Sequence, residues 1–195
     1  MKRLARSCKN LIKRLSGKPA MLYGYKIPGG AYLPGTRVSN TTYIGCKKKL
    51  LLADHVFIGH YNFLDSCQGI RIGEGCQLTN YISVITHSSH HAIRLYGRSY
   101  LSEPEPELYE RGPVDIGPYT FIGPHSLIGP GTAIGKGSLV TAYSHVKGNF
   151  PDFSILSGNP ARVVGSTRDL DARFLRDHPG LKEHYERWAS DNPAR

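Results

Sequence analysis

The chain has 195 residues, 39% of them hydrophobic, and a formal net charge of +10, which suits one domain with a sizeable core and leaves too little for two. Seven of the positive charges (Lys2, Arg3, Arg6, Lys9, Lys13, Arg14 and Lys18) lie in the first 18 residues with no acid among them, leaving +3 on the remainder. A nucleic-acid partner calls for a basic stripe on the folded body, so that class is disfavoured, and no apolar run reaches the length of a membrane span or a signal-peptide core.

Residues 1–17 predict an amphipathic helix, with Leu4, Cys8, Leu11, Ile12 and Leu15 on one face and Lys and Arg on the other. Such a helix can rest on an anionic membrane surface; the shortness of its apolar face favours a solvated basic helix packed against the end of the body. Residues 18–37, with Pro19, Pro28, Gly29, Gly30, Pro34 and Gly35, read as an irregular lead-in, so that 1–37 forms one terminal segment. Cys8, Cys46, Cys67 and Cys76 have no paired metal-type spacing, and reduced thiols in a cytoplasmic protein are expected.

Ile44, Ile58 and Ile72 each precede a glycine at steps of fourteen, and Leu64, Ile70, Leu78 and Val84 fill a six-residue ladder between and beyond them. Downstream, Ile116, Ile122, Ile128 and Ile134 precede glycine at a strict period of six, which Val140 and Val146 extend. That period fits neither an ordinary helix nor an ordinary strand. It suits a coil that turns a corner after each short strand, three strands making one triangular turn of a parallel β-helix, with each rung stacked on the next. Glycine after the apolar position permits tight or positive-φ backbone. The steps of fourteen are two hexads plus two residues, which are assigned to a corner or bulge rather than to the strands. An all-β solenoid over 38–165 follows.

The hexads vanish between 86 and 113, where a polar, aromatic excursion contains Glu103-Pro104-Glu105-Pro106-Glu107, stiff and extended by composition. Excursions of this length inside a regular repeat are more often functional than idle. Residues 166–195 predict a helical cap, with Thr167 to Ala189 broken at Pro179 and Gly180 and a buried face of Leu170, Phe174, Leu175, Leu181, Tyr185 and Trp188.

The dense histidine cluster His87, His90 and His91 stands where the hexads stop. An imidazole at the mouth of a cleft, titrating near neutrality, suits a general base. Asn62 and Asp65 in the preceding rung, and Arg94, Tyr96, Arg98, Tyr100, Tyr109 and Arg111 in or beside the excursion, are candidate contacts to an acceptor. A different class, a metal hydratase resembling the gamma-type carbonic anhydrases, would use His55, His60 and His87 or His90 as zinc ligands. The order of the close pair and the lone histidine is reversed relative to that family, and no metal is expected.

Thr86-His87-Ser88-Ser89-His90-His91-Ala92-Ile93-Arg94, the hexads and the closing Gly158-Asn159-Pro160-Ala161-Arg162-Val163-Val164 together resemble the hexapeptide-repeat acyltransferases, in the layout of the galactoside and maltose O-acetyltransferases, over about 40–165. The resemblance implies a left-handed parallel β-helix assembled as a homotrimer. It implies acetyl-CoA as cosubstrate, O-acetyl transfer to a saccharide of surface-polysaccharide assembly, and His87 as the base. It places Phe121 (a Trp in the galactoside enzyme), Pro124, Ala142, Lys147, Gly148 and Arg162 along coenzyme A, and Asn62, Asp65, His90, His91 and Arg94 near the acceptor. Ser88 follows His87 where the family has Pro. An amino sugar, a drug or serine is an alternative acceptor, and the expected location is the cytoplasm, at the inner face of the membrane.

Overall fold

The computed structural model describes residues 2–104 and 106–190, without the side chains of 2–5 and 14. Leu4 in the expected apolar helix face and Glu105 in the acidic-proline run therefore lie outside the described positions.

From Val38 to Leu156 the chain winds around a three-sided column. Inward residues of the first face are Val38, Ile58, Leu78, Ile122, Val140 and Leu156. Those of the second are Ile44, Leu64, Val84, Ile128 and Val146, and those of the third are Leu52, Ile72, Ile116, Ile134 and Phe150. Each strand pairs in parallel with its counterpart one coil earlier, so the apolar edges form one continuous core. Most corners are four residues long, and the third residue commonly takes a left-handed backbone, as at Tyr61, Tyr81, Tyr119, His125 and Tyr143. The fourth is small, polar and buried, as at Thr120, Ser126, Thr132, Ser138 and Ser144. Its hydroxyl donates to a corner carbonyl, for example Ser126 to Thr141 O at 3.0 Å and Ser138 to Gly135 O at 2.8 Å. No buried side-chain polar atom among the described residues lacks a partner. Glycine follows isoleucine because coils approach closely: a Cβ on Gly123 would stand 2.6 Å from the backbone nitrogen of Ala142. Gly117, Gly123, Gly129 and Gly135 are not among the positive-φ glycines, and close approach explains the pair at Gly117, Gly123 and Gly135, whereas a Cβ on Gly129 would meet its nearest atom at 3.6 Å.

The two extra residues of the early steps lie in strands, contrary to the expected corner or bulge. Leu50–Leu52, Ile70–Ile72 and Val114–Ile116 are three residues long and bury both ends. Because they pair with one another residue for residue, the lengthening passes from coil to coil in register.

The lead-in is ordered rather than irregular: Met21–Lys26 and Tyr32–Ser39 form an antiparallel hairpin that joins the first face at Phe57–Ile58. Helix α1 (Lys2–Leu15) docks on this hairpin. The excursion leaves the second face, carries α2 (Ala92–Tyr96) and a 3-10 turn (Gly97–Ser102), and is closed at its neck by pairing of His87–Ser88 with Glu110–Arg111. Ser154–Gly158 and Ala161–Ser166 form a closing hairpin, followed by α3 (Thr167–Asp177) and α4 (Lys182–Ala189), broken at Pro179 as expected. Ser166 caps α3 through its hydroxyl, which accepts from the Arg168 N–H at 3.1 Å. The expected buried face of this cap is corrected: Phe174 and Leu181 are exposed, and Leu170, Leu175, Tyr185 and Trp188 are half-buried. The two short helices cover the column's end through few positions, of which Thr167 and Ala189 are buried, and Trp188 lies over Tyr119 and Phe153.

A second correction concerns the cysteines. Cys46 and Cys67 form a disulfide with Cα atoms 5.0 Å apart, because the coil carries the chain past the same corner twice in 21 residues. Cys8 and Cys76 are free, and burial pushes the Cys76 thiol up to about 11.

Candidate active site

The corner between the second and third faces changes from coil to coil. In the second coil it begins with Asp65, buried at the end of Phe63–Asp65. One coil on, the same corner opens into the excursion at Thr86 and His87. Register pairs Asp65 with Ile85, which brings the Asp65 carboxylate against the residues that follow. Its Oδ2 lies 2.5 Å from His87 Nδ1. The Thr86 hydroxyl donates to Asp65 Oδ2 at 3.3 Å and to Asp65 O at 2.9 Å, and the Cys67 N–H donates to Oδ1 at 3.3 Å. A buried carboxylate fixed by the Thr86 hydroxyl and the Cys67 N–H holds the imidazole with its Nδ1 side occupied. The other ring nitrogen, Nε2, is thereby left as the basic one.

The His87 side chain is 37% exposed and opens into a cleft of about 660 Å³ lined by Gln68, Tyr100, Leu101, Glu103, Tyr109 and Arg111 among others. Tyr109 stacks on it at 5.6 Å between ring centroids, with the Arg111 guanidinium on Tyr109 at 4.8 Å. Burial raises the Tyr109 hydroxyl above its ordinary range, so it is a neutral donor at pH 7.

Beside this dyad stands a second polar group. Glu110 receives a hydrogen bond from Lys147 Nζ at 2.7 Å, which holds its carboxyl below the usual range. His90 and His91 Nε2 each lie 3.8 Å from the other Glu110 oxygen. The Nδ1 of His90 meets the Ser88 hydroxyl at 2.8 Å, and that of His91 meets Arg94 Nη2 at 3.0 Å. The ligand atoms of His90, His91 and Glu110 lie within 4.8 Å of one another. Lys147 on the carboxylate and Arg94 on the imidazole, however, supply positive charge where a cation would sit. His55 and His60 belong to no metal-capable group among the described residues, and His60 Nδ1 is engaged by Ser39 Oγ at 2.7 Å.

The residues singled out from sequence thus divide. His87, Asp65, His90, His91, Arg94, Lys147 and Gly148 gather at the second–third corner. Phe121 faces outward on the first face, and Pro124 and Ala142 stack at the first–second corner, on the other side of the second face. Arg162 is exposed on the closing hairpin, 3.0 Å from Ala161 O. Asn62 is buried, with its amide donating to Thr79 O and accepting from the Ile82 N–H at 2.8 and 2.7 Å, so both its polar atoms are engaged within the coil. Thr86 and Glu110 escaped the sequence reading. The coil period of about twenty, which sets residue 65 beside 85 and 86, was the signal for Thr86; Glu110, brought in by the arm's return, had none.

No family model matches the chain and no curated protein resembles it. Solved structures do. The maltose O-acetyltransferase from Clostridium difficile 630 superposes with a TM-score of 0.55 at 22% identity, over 64% of this chain and 63% of that one. AntD, an N-acyltransferase from Bacillus cereus in complex with dTDP and 3-hydroxybutyryl-CoA, gives 0.56 at 19%, over 74% and 89%. A hexapeptide-repeat acetyltransferase from Vibrio cholerae O1 biovar eltor, complexed with acetyl coenzyme A, gives 0.54 at 23%, over 64% of each chain. The chain therefore spans under two thirds of the first and third of these. At this level of identity, what they share with it is the fold of the hexapeptide-repeat acyltransferases.

Proposed function

We propose that this protein is an acetyl-CoA-dependent O-acetyltransferase, built on a left-handed coil of hexapeptide repeats, that acetylates a saccharide hydroxyl of a surface-polysaccharide precursor. The observation that carries the reading is the Asp65–His87 pair at the mouth of the cleft. His87 Nε2 takes the proton of the acceptor hydroxyl as its oxygen attacks the thioester carbonyl, and Asp65 offsets the charge of the resulting imidazolium. The tetrahedral oxyanion collapses by breaking the C–S bond, and the leaving sulfur takes the proton back from His87, giving acetyl ester and coenzyme A. Tyr100, Tyr109 and Arg111 line the cleft and offer ring faces and hydrogen bonds of the kind that hold a saccharide.

The coenzyme A assignments fall on two edges of one chain, Lys147 and Gly148 on one, Pro124 and Ala142 on the other. A homotrimer, in which one chain's edge faces its neighbour's, brings the two together and makes a groove that no single chain contains. The donor places the reaction in the cytoplasm. Fold neighbours include both an O-acetyltransferase and an N-acyltransferase, so an amino sugar belongs in any acceptor screen.

Calorimetric titration with acetyl-CoA, followed by acetyl-transfer assays over neutral and amino sugars, tests the reading. Saturable binding near one site per chain is expected. His87→Ala should leave that binding intact and lower turnover by about two to four orders of magnitude. No binding at millimolar donor, or full turnover without the imidazole, would overturn it.

A further inference from the structure

Helix α1 (Lys2–Leu15) sits on the body the wrong way round for a globular protein. An amphipathic helix ordinarily buries its apolar stripe and turns its charges to water. Here the polar side docks: Arg6 Nη1 donates to Pro34 O at 2.9 Å, Asn10 exchanges hydrogen bonds with the Tyr23 backbone at 2.9 and 3.1 Å, and Lys13 Nζ donates to Met21 O at 2.8 Å. Lys13 also lies over the Tyr23 ring, and its carbonyl accepts from Asn40 at 3.2 Å. Residues 6, 10 and 13 share one side of a 3.6-residue helix, and 8, 11, 12 and 15 share the other. The second side is left to solvent: Leu11 is 57% exposed, Ile12 68% and Leu15 77%.

Charge says what covers it. The first acidic residue of the whole chain is Asp54, whereas twelve Lys and Arg precede it. Lys9 borders the apolar face on the helix, Lys18 is exposed just beyond the helix end, and Lys47, Lys48 and Lys49 stand exposed on the first coil, with Lys47 lining the groove beside the hairpin that α1 docks on. An apolar stripe on a helix whose charges are all positive, in a stretch of chain with no acidic residue before Asp54, has the chemistry of an interfacial helix on anionic lipid. A second copy of the chain would bring the same positive charge to this face and is disfavoured.

We propose that the apolar face of α1, held outward by its polar docking contacts, rests on an anionic lipid bilayer and anchors the first coil of the column there. The second–third corner of the third coil, with His87, then stands two strand spacings away, on the order of 10 Å along the column, within reach of an acceptor carried at the membrane surface. Anchoring itself does not depend on the catalytic reading.

The test is co-sedimentation of the full chain with vesicles of equimolar phosphatidylglycerol and phosphatidylcholine, against phosphatidylcholine alone, at 0.1 and 0.5 M salt. The expected result is partition onto the anionic vesicles at least about tenfold above the neutral ones, reduced severalfold by the higher salt, as screening predicts. Ile12→Ser with Leu15→Ser should lower it about tenfold or more while circular dichroism and acetyl-CoA binding stay unchanged. No partition, equal partition onto neutral lipid, or partition indifferent to the double substitution overturns the proposal. So does a lipid-free sedimentation experiment in which the wild type forms a larger assembly than the double variant, which would assign the face to a second copy of the chain.

Discussion

Two corners of the same column are built in opposite ways. At the first–second corner every coil from the second to the fifth repeats the same solution, a left-handed residue bearing a ring, and Tyr61, Tyr81, His125 and Tyr143 stack in sequence at 5.2, 4.9 and 4.8 Å. The second–third corner repeats nothing. It holds the Cys46–Cys67 bridge, then Asp65, then the arm that begins at Thr86, then the Lys147 side chain reaching back to Glu110. A stack of identical positions forms a column with one ring per strand spacing, good for holding coils together and unable to converge on a point. Asp65 meets His87 only because neighbouring coils carry unlike residues and one strand leaves the face.

The largest effect expected from breaking the irregular corner, short of removing His87 itself, comes from Asp65→Asn. The amide still accepts from the Thr86 hydroxyl but carries no charge to offset an imidazolium. Turnover should fall about ten- to a thousandfold with the KM for acetyl-CoA within about twofold of wild type. A purely structural role would instead raise KM, lower the unfolding midpoint, or leave kcat alone.

Next in size is the bridge one coil below. Closing a loop of 21 residues stabilises by about 3 kcal/mol in the chain-entropy account. The double variant Cys46→Ser with Cys67→Ser should lose about that much in urea unfolding, and dithiothreitol should destabilise the wild type but not the variant. Thiol counting sharpens this. Exposed Cys8 reacts promptly, whereas Cys76, buried and with its thiol pushed up to about 11, waits for unfolding. One fast thiol in the native protein is expected; three would mean that the bridge is open, as a reducing cytoplasm would favour.

What the sequence disclosed follows the same division. The period of six placed the inward residues of every face, from Ile58 to Val146, because an apolar residue facing the core cannot be exchanged for a polar one without leaving a buried polar group unpaired. His87 was legible because it breaks the period. Contacts between coils were not, since they depend on a second period near twenty: Cys46 with Cys67, Asp65 with Thr86 and His87, and Tyr61 with Tyr81 are each one coil apart. Lengthened strands such as Ile70–Ile72 were misplaced for a related reason, because register with Leu50–Leu52 and Val114–Ile116, rather than local pattern, decides where two extra residues go. The terminal helix misled in the other direction: its apolar stripe at Leu11, Ile12 and Leu15 was read correctly, but Asn10 and Lys13 dock the opposite side.

The regular corner should respond more mildly and with a specific ranking. Tyr81 stacks between Tyr61 and His125 with φ at 59°. Tyr81→Ala removes both ring contacts but keeps a side chain in the left-handed region, and should cost about 1–2 kcal/mol. Tyr81→Gly loses the same contacts yet relieves the backbone, and should unfold at a higher urea concentration than the alanine variant by the equivalent of about 0.5–1 kcal/mol. The reverse order would mean that the corner's backbone is set by something other than this residue.

The smallest effect returns to the irregular corner. The hydrogen bond from Lys147 holds the Glu110 carboxyl below its ordinary range. A group depressed in the folded state contributes stability above its unfolded value of about 4.3 and loses it as pH falls through the folded one. With Lys147 about half exposed, solvent screening limits the pair to at most about 1 kcal/mol at neutral pH. Glu110→Gln should therefore lower the urea midpoint slightly at pH 7, by a difference that shrinks as pH falls below about 4.3 and through the depressed folded value. If Lys147 also meets a phosphate of coenzyme A, releasing it from Glu110 should tighten acetyl-CoA binding about two- to threefold in the same variant, since a cation freed from one anion is offered whole to the next. Unchanged binding with the expected pH-dependent loss of stability would leave Lys147 as a strut of the arm rather than a contact of the donor.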